Sequence, residues 1–302
     1  MSEDLGARWF SCMLRGNLEG AWAVSDEVLR RDAGREHWHL PRHQQPVWDG
    51  TPLEGRRVLV RCYHGLGDTI QFIRYARPLR TIASEVIVWA QPELLPLLET
   101  ASGVDRTEPL HDGAPDAEYD ADVEIMELPH VFRSTLGTLP CEVPYLHAPR
   151  ASVGRDAPLM VGLVARAGDW GTRRSVPLEE LAPLAEVEGV SVRLLHPCAA
   201  PRREGPFITA GGTDTILGTA SLIRALDLII APDTMPAHLA GALGAPVWTL
   251  LRREADWRWL HERDVCAWYP SMRLFRQETD GDWGSVVQRV LAALRVEVAR
   301  RR

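Results

Sequence analysis

Three stretches of the chain place glycine, ionisable or hydroxyl residues where a strand gives way to a helix, the edge at which a parallel sheet binds its ligands. The first is Gly65-Leu66-Gly67-Asp68-Thr69, directly after the apolar run Val58-Leu59-Val60-Arg61-Cys62. Gly65 and Gly67 let backbone approach a ligand closely. Thr69 opens the expected helix, and Asp68 stands at the sheet's carboxyl edge, where a carboxylate can take the proton of an attacking hydroxyl. The same aspartate is equally an ordinary helix N-cap, and the spacing does not separate the two. No Gly-Lys-Ser/Thr follows, so the loop is not a Walker A motif.

The second stretch is Asp233-Thr234-Met235-Pro236-Ala237-His238, after the run Leu228-Ile229-Ile230-Ala231. Proline favours a first helical turn, so a helix begins near Pro236 with Asp233 or Thr234 as its cap. First-turn N–H groups can hold a phosphate. His238, one turn in, can donate to a diphosphate oxygen; taken alone it is more simply a buried histidine satisfied by a carbonyl. The third stretch is Gly168-Asp169-Trp170-Gly171-Thr172-Arg173-Arg174-Ser175, in which Arg173 or Arg174 either meets phosphate oxygens or faces solvent. Trp257, Trp259 and Trp268 can stack on a ligand ring or, more simply, pack the terminal helix.

The elements that must position these residues alternate. Helical spacing over residues 5 to 32, broken at Arg15-Gly16-Asn17, predicts a helical hairpin like one tetratricopeptide unit, which cannot bury its own face and so must pack on a neighbour. Residues 33 to 54 lack periodicity and form a linker or arm. Strands are expected at 58–62, 85–90 and 121–126, with helices from Thr69 to about Leu79 and from Pro92. A second alternating series follows: strands at 159–164, 190–195, 228–231 and 246–251, and helices at 178–185, 221–225, 236–243 and 283–298. Such alternation implies an α/β protein with two doubly wound parallel sheets. The expected divisions are 1–54 (hairpin and linker), 55–150 (first Rossmann-like domain) and 151–302 (second), joined near 145–157, with a ligand cleft between their carboxyl-end faces.

Composition narrows the classes. A 302-residue chain with 45% hydrophobic and 25% charged residues has the profile of a soluble two-domain protein. Its net charge of −7 opposes a nucleic-acid partner bound through a broad basic face, and the closing Arg300-Arg301-Arg302 is taken as a solvated helix end. No apolar run approaches the ~20 residues of a transmembrane helix. The acidic Met1-Ser2-Glu3-Asp4-Leu5 is unlike a signal peptide. Five scattered cysteines suggest neither a disulfide framework nor a zinc site, and the cytoplasm is the expected compartment.

Taken together, Gly65 to Phe72, Arg174-Ser175-Val176-Pro177-Leu178, Asp233-Thr234 with Ala237 to Gly244, Asp256-Trp257-Arg258-Trp259 and Trp268 to Gln277 resemble the ADP-heptose:lipopolysaccharide heptosyltransferase-like family. The branch most similar is the one found as the C-terminal module of bacterial tetratricopeptide proteins. The resemblance runs from about Leu53 to Val290. It implies a GT-B fold and inverting, metal-independent transfer of a sugar from a nucleotide-sugar donor, the co-substrate in place of any cofactor. The first domain would hold the acceptor and the second the donor. It places Asp68 as general base, with Arg174, Asp233, Thr234 and His238 at the donor diphosphate. The acceptor is left open among glycan, protein and small molecule. Asp120-Ala121-Asp122 spells the D-x-D with which other glycosyltransferases bind metal, but begins an expected strand whose acids face solvent, so no metal site is expected. The chain departs from the branch at Ala165-Arg166-Ala167-Gly168, Leu195-His196-Pro197, Met235-Pro236 and Tyr63-His64. These changes keep two alternatives in play: a catalytically silent nucleotide-sugar or protein-binding module, and a GT-B-type sugar-nucleotide epimerase.

Overall fold

The computed structural model describes residues 4–261 and 263–301, without the side chains of Asp169 and Trp170. The readings placed on Met1-Ser2-Glu3, on Arg302 and on those two side chains lie outside the described residues. The chain forms two compact units, the first running to Cys141 and taking in a short segment from Asp256, the second holding the remainder. Among the described residues no helix is long and apolar enough to cross a membrane.

In the first unit, α1 (Leu5–Leu14) and α2 (Leu18–Asp32) form the expected hairpin. Asp4 and Asn17 cap them, accepting from the amides of Gly6 and Ala7 and of Gly20 respectively. Gly16 turns the chain between them at φ 73°, a left-handed conformation that glycine adopts without strain. The buried face of α2 carries Leu18, Ala21, Trp22 and Val24. The Trp22 indole N–H donates to the Ser134 carbonyl at 2.7 Å, and Asp26 accepts both arms of Arg133 at 2.8 Å. The hairpin is thus part of this unit's core, as its apolar face demands.

The sheet contains β1 (Arg57–Arg61), β2 (Glu85–Ala90), β3 (Arg106–Pro109) and β4 (Ala121–Glu124), all parallel in the order β3-β2-β1-β4. β3 was not foreseen, because Arg-Thr-Glu-Pro on an edge lacks apolar alternation. The helix expected from Thr69 to Leu79 is instead α3 (Leu66–Phe72), a 3-10 turn and α4 (Ala76–Ile82). It starts three residues early because Gly65 is its N-cap and Asp68 folds back onto the Gly65 amide. β4 stops at Glu124 rather than Met126, since the Glu124 carboxylate accepts the Met126 amide at 2.7 Å and starts a 3-10 turn. Short α5 (Leu95–Leu98) and α6 (Leu128–Val131) complete the unit.

The second unit has strands β5 (Leu159–Leu163), β6 (Val190–Leu194), β7 (Arg203–Glu204), β8 (Phe207–Thr209), β9 (Leu228–Pro232), β10 (Val247–Leu251) and β11 (Met272–Arg276). Their order is β11-β10-β9-β5-β6-β8-β7, and only β7 runs antiparallel to its neighbour. β11, whose Leu274-Phe275 pair breaks apolar alternation, and the β7–β8 hairpin are additions to the expected strands. Helices are α7 (Leu178–Leu181), α8 (Ile216–Ile223), α9 (Met235–Ala242) and α10 (Trp283–Arg301). α8 begins five residues before the expected Ser221 because the Thr215 hydroxyl caps the Gly218 amide at 3.0 Å. Val286, Val290 and Leu294 of α10 pack over Leu159, Val161 and Leu163 of the central strand.

Replacing Trp22, which is 4% exposed, with alanine is expected to cost about 3–5 kcal/mol of first-unit stability in urea denaturation. Trp22→Phe keeps a six-membered ring but loses the pyrrole half of the indole with its bond to Ser134, and is expected to cost about 1–3 kcal/mol, less than alanine.

Candidate active-site residues

Strand order reverses beside the first strand of each unit: between β1 and β4, and between β5 and β9. These two points, at the carboxyl ends of the strands, are where such sheets bind ligands. All of the residues singled out from the first and second stretches above follow strands that border one of them.

In the first unit, Asp68 is the third residue of α3, so the N-cap alternative is corrected: the cap is Gly65. Asp68 Oδ2 accepts the Gly65 amide at 2.9 Å, and Oδ1 accepts Nη2 of Arg258. Arg258 also holds Asp256 at 2.8 Å and lies over the rings of Trp257 and Phe72. A carboxylate oxygen engaged once retains a lone pair, so Asp68 can still accept a proton, with a cation beside it. Gly67 lies within α3 rather than in an open loop. Thr69 is fully buried, and its hydroxyl donates to Gln91, whose amide donates to the His64 carbonyl at 2.7 Å. Thr69 therefore braces the turn rather than facing a ligand.

Residues not foreseen complete this edge. Glu127 accepts the amides of Val47, Trp48 and Glu124 at 2.8–3.1 Å, tying the arm to the end of β4. Glu124 is buried, and its Oε2 lies 3.8 Å from Nε2 of His64. Burial pushes the Glu124 carboxyl up to about 8, reinforced by the nearby Glu127 and Asp68 charges, and pushes Glu127 up to about 7. Burial also lowers the His64 imidazole; Asp68 opposes that shift, while Arg258 and His43 add to it. Glu124 falls inside the expected strand 121–126 and Glu127 just beyond it; their spacing of three, that of a capping box, is the signal the sequence carries.

In the second unit, Arg174, Asp233, His238 and Tyr269 form a chain of contacts. Arg174 Nη1 is 3.7 Å from Asp233 Oδ2, Asp233 Oδ1 is 3.7 Å from His238 Nε2, and His238 Nδ1 is 3.0 Å from the Tyr269 hydroxyl. Arg173 is exposed, which separates the two arginines that the spacing left equivalent. Thr234 is the N-cap residue of α9, but its hydroxyl donates to the Pro232 carbonyl at 3.1 Å instead of capping the helix. The phosphate role expected of the first-turn amides is cut back. Pro236 has no N–H, and Ala237 and His238 give theirs to the Thr234 carbonyl. Tyr269 was not foreseen. Its ring lies so near α9 that a Cβ on Gly241 would fall 2.3 Å from it. Two of the departures meet elsewhere on this edge: His196 lies 2.9 Å and Arg166 3.9 Å from Glu204.

Arg57 takes Asp120 at 2.9 Å and Arg61 takes Asp122 at 2.7 Å, so arginines occupy both carboxylates of the D-x-D. Trp257 and Trp259 belong to the segment that returns to the first unit, where Trp257 meets Trp9 at 5.5 Å and Phe72 at 6.3 Å. Trp268 stays in the second unit and is buried.

No protein-family model matches the chain. A curated relative, Protein FlbA of Caulobacter vibrioides, is 38% identical over 76 residues, which make up 25% of this chain and only 12% of that protein. Solved structures match far more of it. A glycosyl transferase family 9 protein from Veillonella parvula superposes with a TM-score of 0.60 at 12% identity, over 83% of this chain and 99% of the other. The iron-containing heptosyltransferase TibC, in a structure with ADP-D-beta-D-heptose, gives 0.55 at 13% identity, over 83% and 80%. ADP-heptose lps heptosyltransferase II of E. coli gives 0.54 at 17% identity, over 81% and 99%. The chain has the α/β fold of these glycosyltransferases, in agreement with the family resemblance carried by its motifs.

The buried glutamates predict a pH dependence of stability. Their folded values of about 8 and 7 exceed the ordinary 4.5, so the folded chain keeps protons that the unfolded chain releases. Their contribution is complete below about pH 4.5 and is lost as pH rises through 7 and 8. Melting temperature is expected to fall over that window, and Glu124→Gln to flatten the fall; an unchanged slope in the variant removes Glu124 as its source.

Proposed function

We propose that this chain is a glycosyltransferase that moves a sugar from a nucleotide-sugar donor to an acceptor hydroxyl. In this reading transfer inverts the anomeric centre, needs no metal or further cofactor, and takes place in the cytoplasm. The observation that carries the reading is the Arg174–Asp233–His238 cluster at the β5–β9 reversal, in a fold shared with transferases. A diphosphate there would meet a guanidinium fork and an imidazole, and the Thr234 hydroxyl would have to leave the Pro232 carbonyl to join them. Asp233 would repel an anion in direct contact, so its role is to hold Arg174 and His238 in place.

The chemistry is a single displacement. The acceptor oxygen attacks the anomeric carbon and its proton passes to Asp68. The bond to the diphosphate breaks, and the electron pair leaves with the phosphate oxygen, whose charge Arg174 and His238 stabilise. In this reading the first unit supplies the acceptor side, at the β1–β4 edge, and the second the donor side, at the β5–β9 edge.

Engagement of Asp68 by Arg258, together with the departures that meet at Glu204, favours a second reading: a module that binds nucleotide sugars without turning them over. A thermal-shift panel of ADP-, GDP-, UDP- and dTDP-linked sugars should identify the donor by its stabilisation of the folded chain. With that donor, Asp68→Asn is expected to lower turnover by about 10²–10⁴-fold while leaving the thermal shift intact. Arg174→Ala and His238→Ala should diminish the shift itself. Binding of a donor with no turnover by the unaltered chain would establish the silent module instead.

A further inference from the structure

The β1–β4 reversal opens into a cavity of about 460 Å³ that no expectation from the motifs covered. It is roofed by residues foreign to the sheet: Trp9 and Met13 from α1, Trp22 from α2, and Leu40, His43 and Gln44 from the arm. Its remaining walls include His64 after β1, Glu124 at the end of β4, Met126 just beyond it, and Trp257 on the returning segment. All of these lie within the first unit. The volume falls in the range of small-molecule sites, and the position is the one at which a doubly wound sheet takes its ligand.

The chemistry of the lining points to the kind of occupant. Three indoles and several aliphatic side chains offer apolar faces, while imidazole, amide and carboxyl groups offer hydrogen bonds between them. The chain has 34 arginines and no lysine, and among the described residues no arginine lines the cavity. The nearest cation on the Trp257 side, Arg258, is engaged by Asp68 and Asp256. The acids that do line it are Asp32, Glu124 and Glu127. Arg31 and Arg35 are taken up by Asp32, at 3.1 and 2.9 Å, so an anionic occupant would leave water for a wall that offers it no guanidinium. An uncharged polyol or phenol can lay its apolar face on an indole and share its hydroxyls with His64, Gln44 and Glu124.

We infer that this cavity is the acceptor subsite, and that it selects an uncharged hydroxyl compound with an apolar face over an anionic one. The word acceptor rests on the transfer reading above; the binding selectivity rests on the cavity alone. Arg258, which touches both Asp68 and Met126 at the cavity wall, is then the link between the bound hydroxyl's surroundings and the candidate base.

The test is saturation-transfer difference NMR on the full chain with matched probes. One pair is methyl β-D-glucoside and methyl β-D-glucuronide, extended to the other methyl hexosides. The other is tyrosol and 4-hydroxyphenylacetate, so that the two arms tell a sugar ring from an aromatic alcohol. A neutral member is expected to bind about tenfold more tightly than its anionic counterpart. Gln44→Trp and, separately, His43→Trp should abolish the signal by filling the mouth from exposed positions that the core does not need. Equal or tighter binding of the anionic members, no binding of any neutral probe, or binding indifferent to both substitutions overturns the inference. Neutral binding lost in both variants, in a chain that turns over no nucleotide sugar, supports the cavity's selectivity while removing the transfer reading.

Discussion

Each sheet begins in its middle. β1 and β5 are the first strands of their units, and the chain adds strands to one side before returning to the other. A parallel strand buried on both faces cannot be joined to its neighbour by a hairpin, so each addition needs a crossover. The reversal leaves two crossovers diverging from one point, and the gap between them has no backbone to fill it. The candidate chemistry of both units lies at that gap. The Gly65 turn, Asp68 and Glu124 border it in the first, and Asp233, Thr234 and His238 border it in the second. Remove the reversal and these side chains would belong to separate loops.

Carboxylates organise both edges, and few of them act alone. Asp68 closes the Gly65 turn and holds Arg258; Glu127 satisfies three amides from two segments; Asp233 stands between a guanidinium and an imidazole. Buried amides require partners, and a carboxylate with its several lone pairs can serve more than one. The consequence for chemistry is that the group most suited to take a proton is also a structural brace. Any reaction at Asp68 must proceed with Arg258 beside it, which orients the carboxylate.

The N-terminal hairpin shows how a surface element becomes part of a site. Its apolar face has to be buried somewhere, and it is buried over the β1–β4 reversal, where Trp22, Asp26 and the arm make specific hydrogen bonds to the residues after β4. The same packing roofs the cavity. Stability and the shape of the candidate acceptor site are therefore coupled through the same side chains.

Local chemistry made much of this legible in advance. The hairpin, the strands Val58 to Cys62, Leu159 to Val164 and Leu228 to Ala231, and the terminal helix all follow from apolar period and punctuation, which depend on neighbours in sequence. So do the candidate positions Asp68, Asp233 and His238, because strand-to-helix turns mark a parallel sheet's edge wherever they occur, whereas local chemistry leaves Arg173 and Arg174 equivalent. What the period could not show was anything set by distant partners. β3 and β11 exist because β2 and β10 offer them an open side; Gly65 rather than Asp68 caps α3 because the side chain turns back; Tyr269 and Arg258 reach their partners from far along the chain. Pairing across 31 residues for Tyr269 and 190 for Arg258 leaves no local pattern, since the free energy that selects it is released only when the fold brings the groups together.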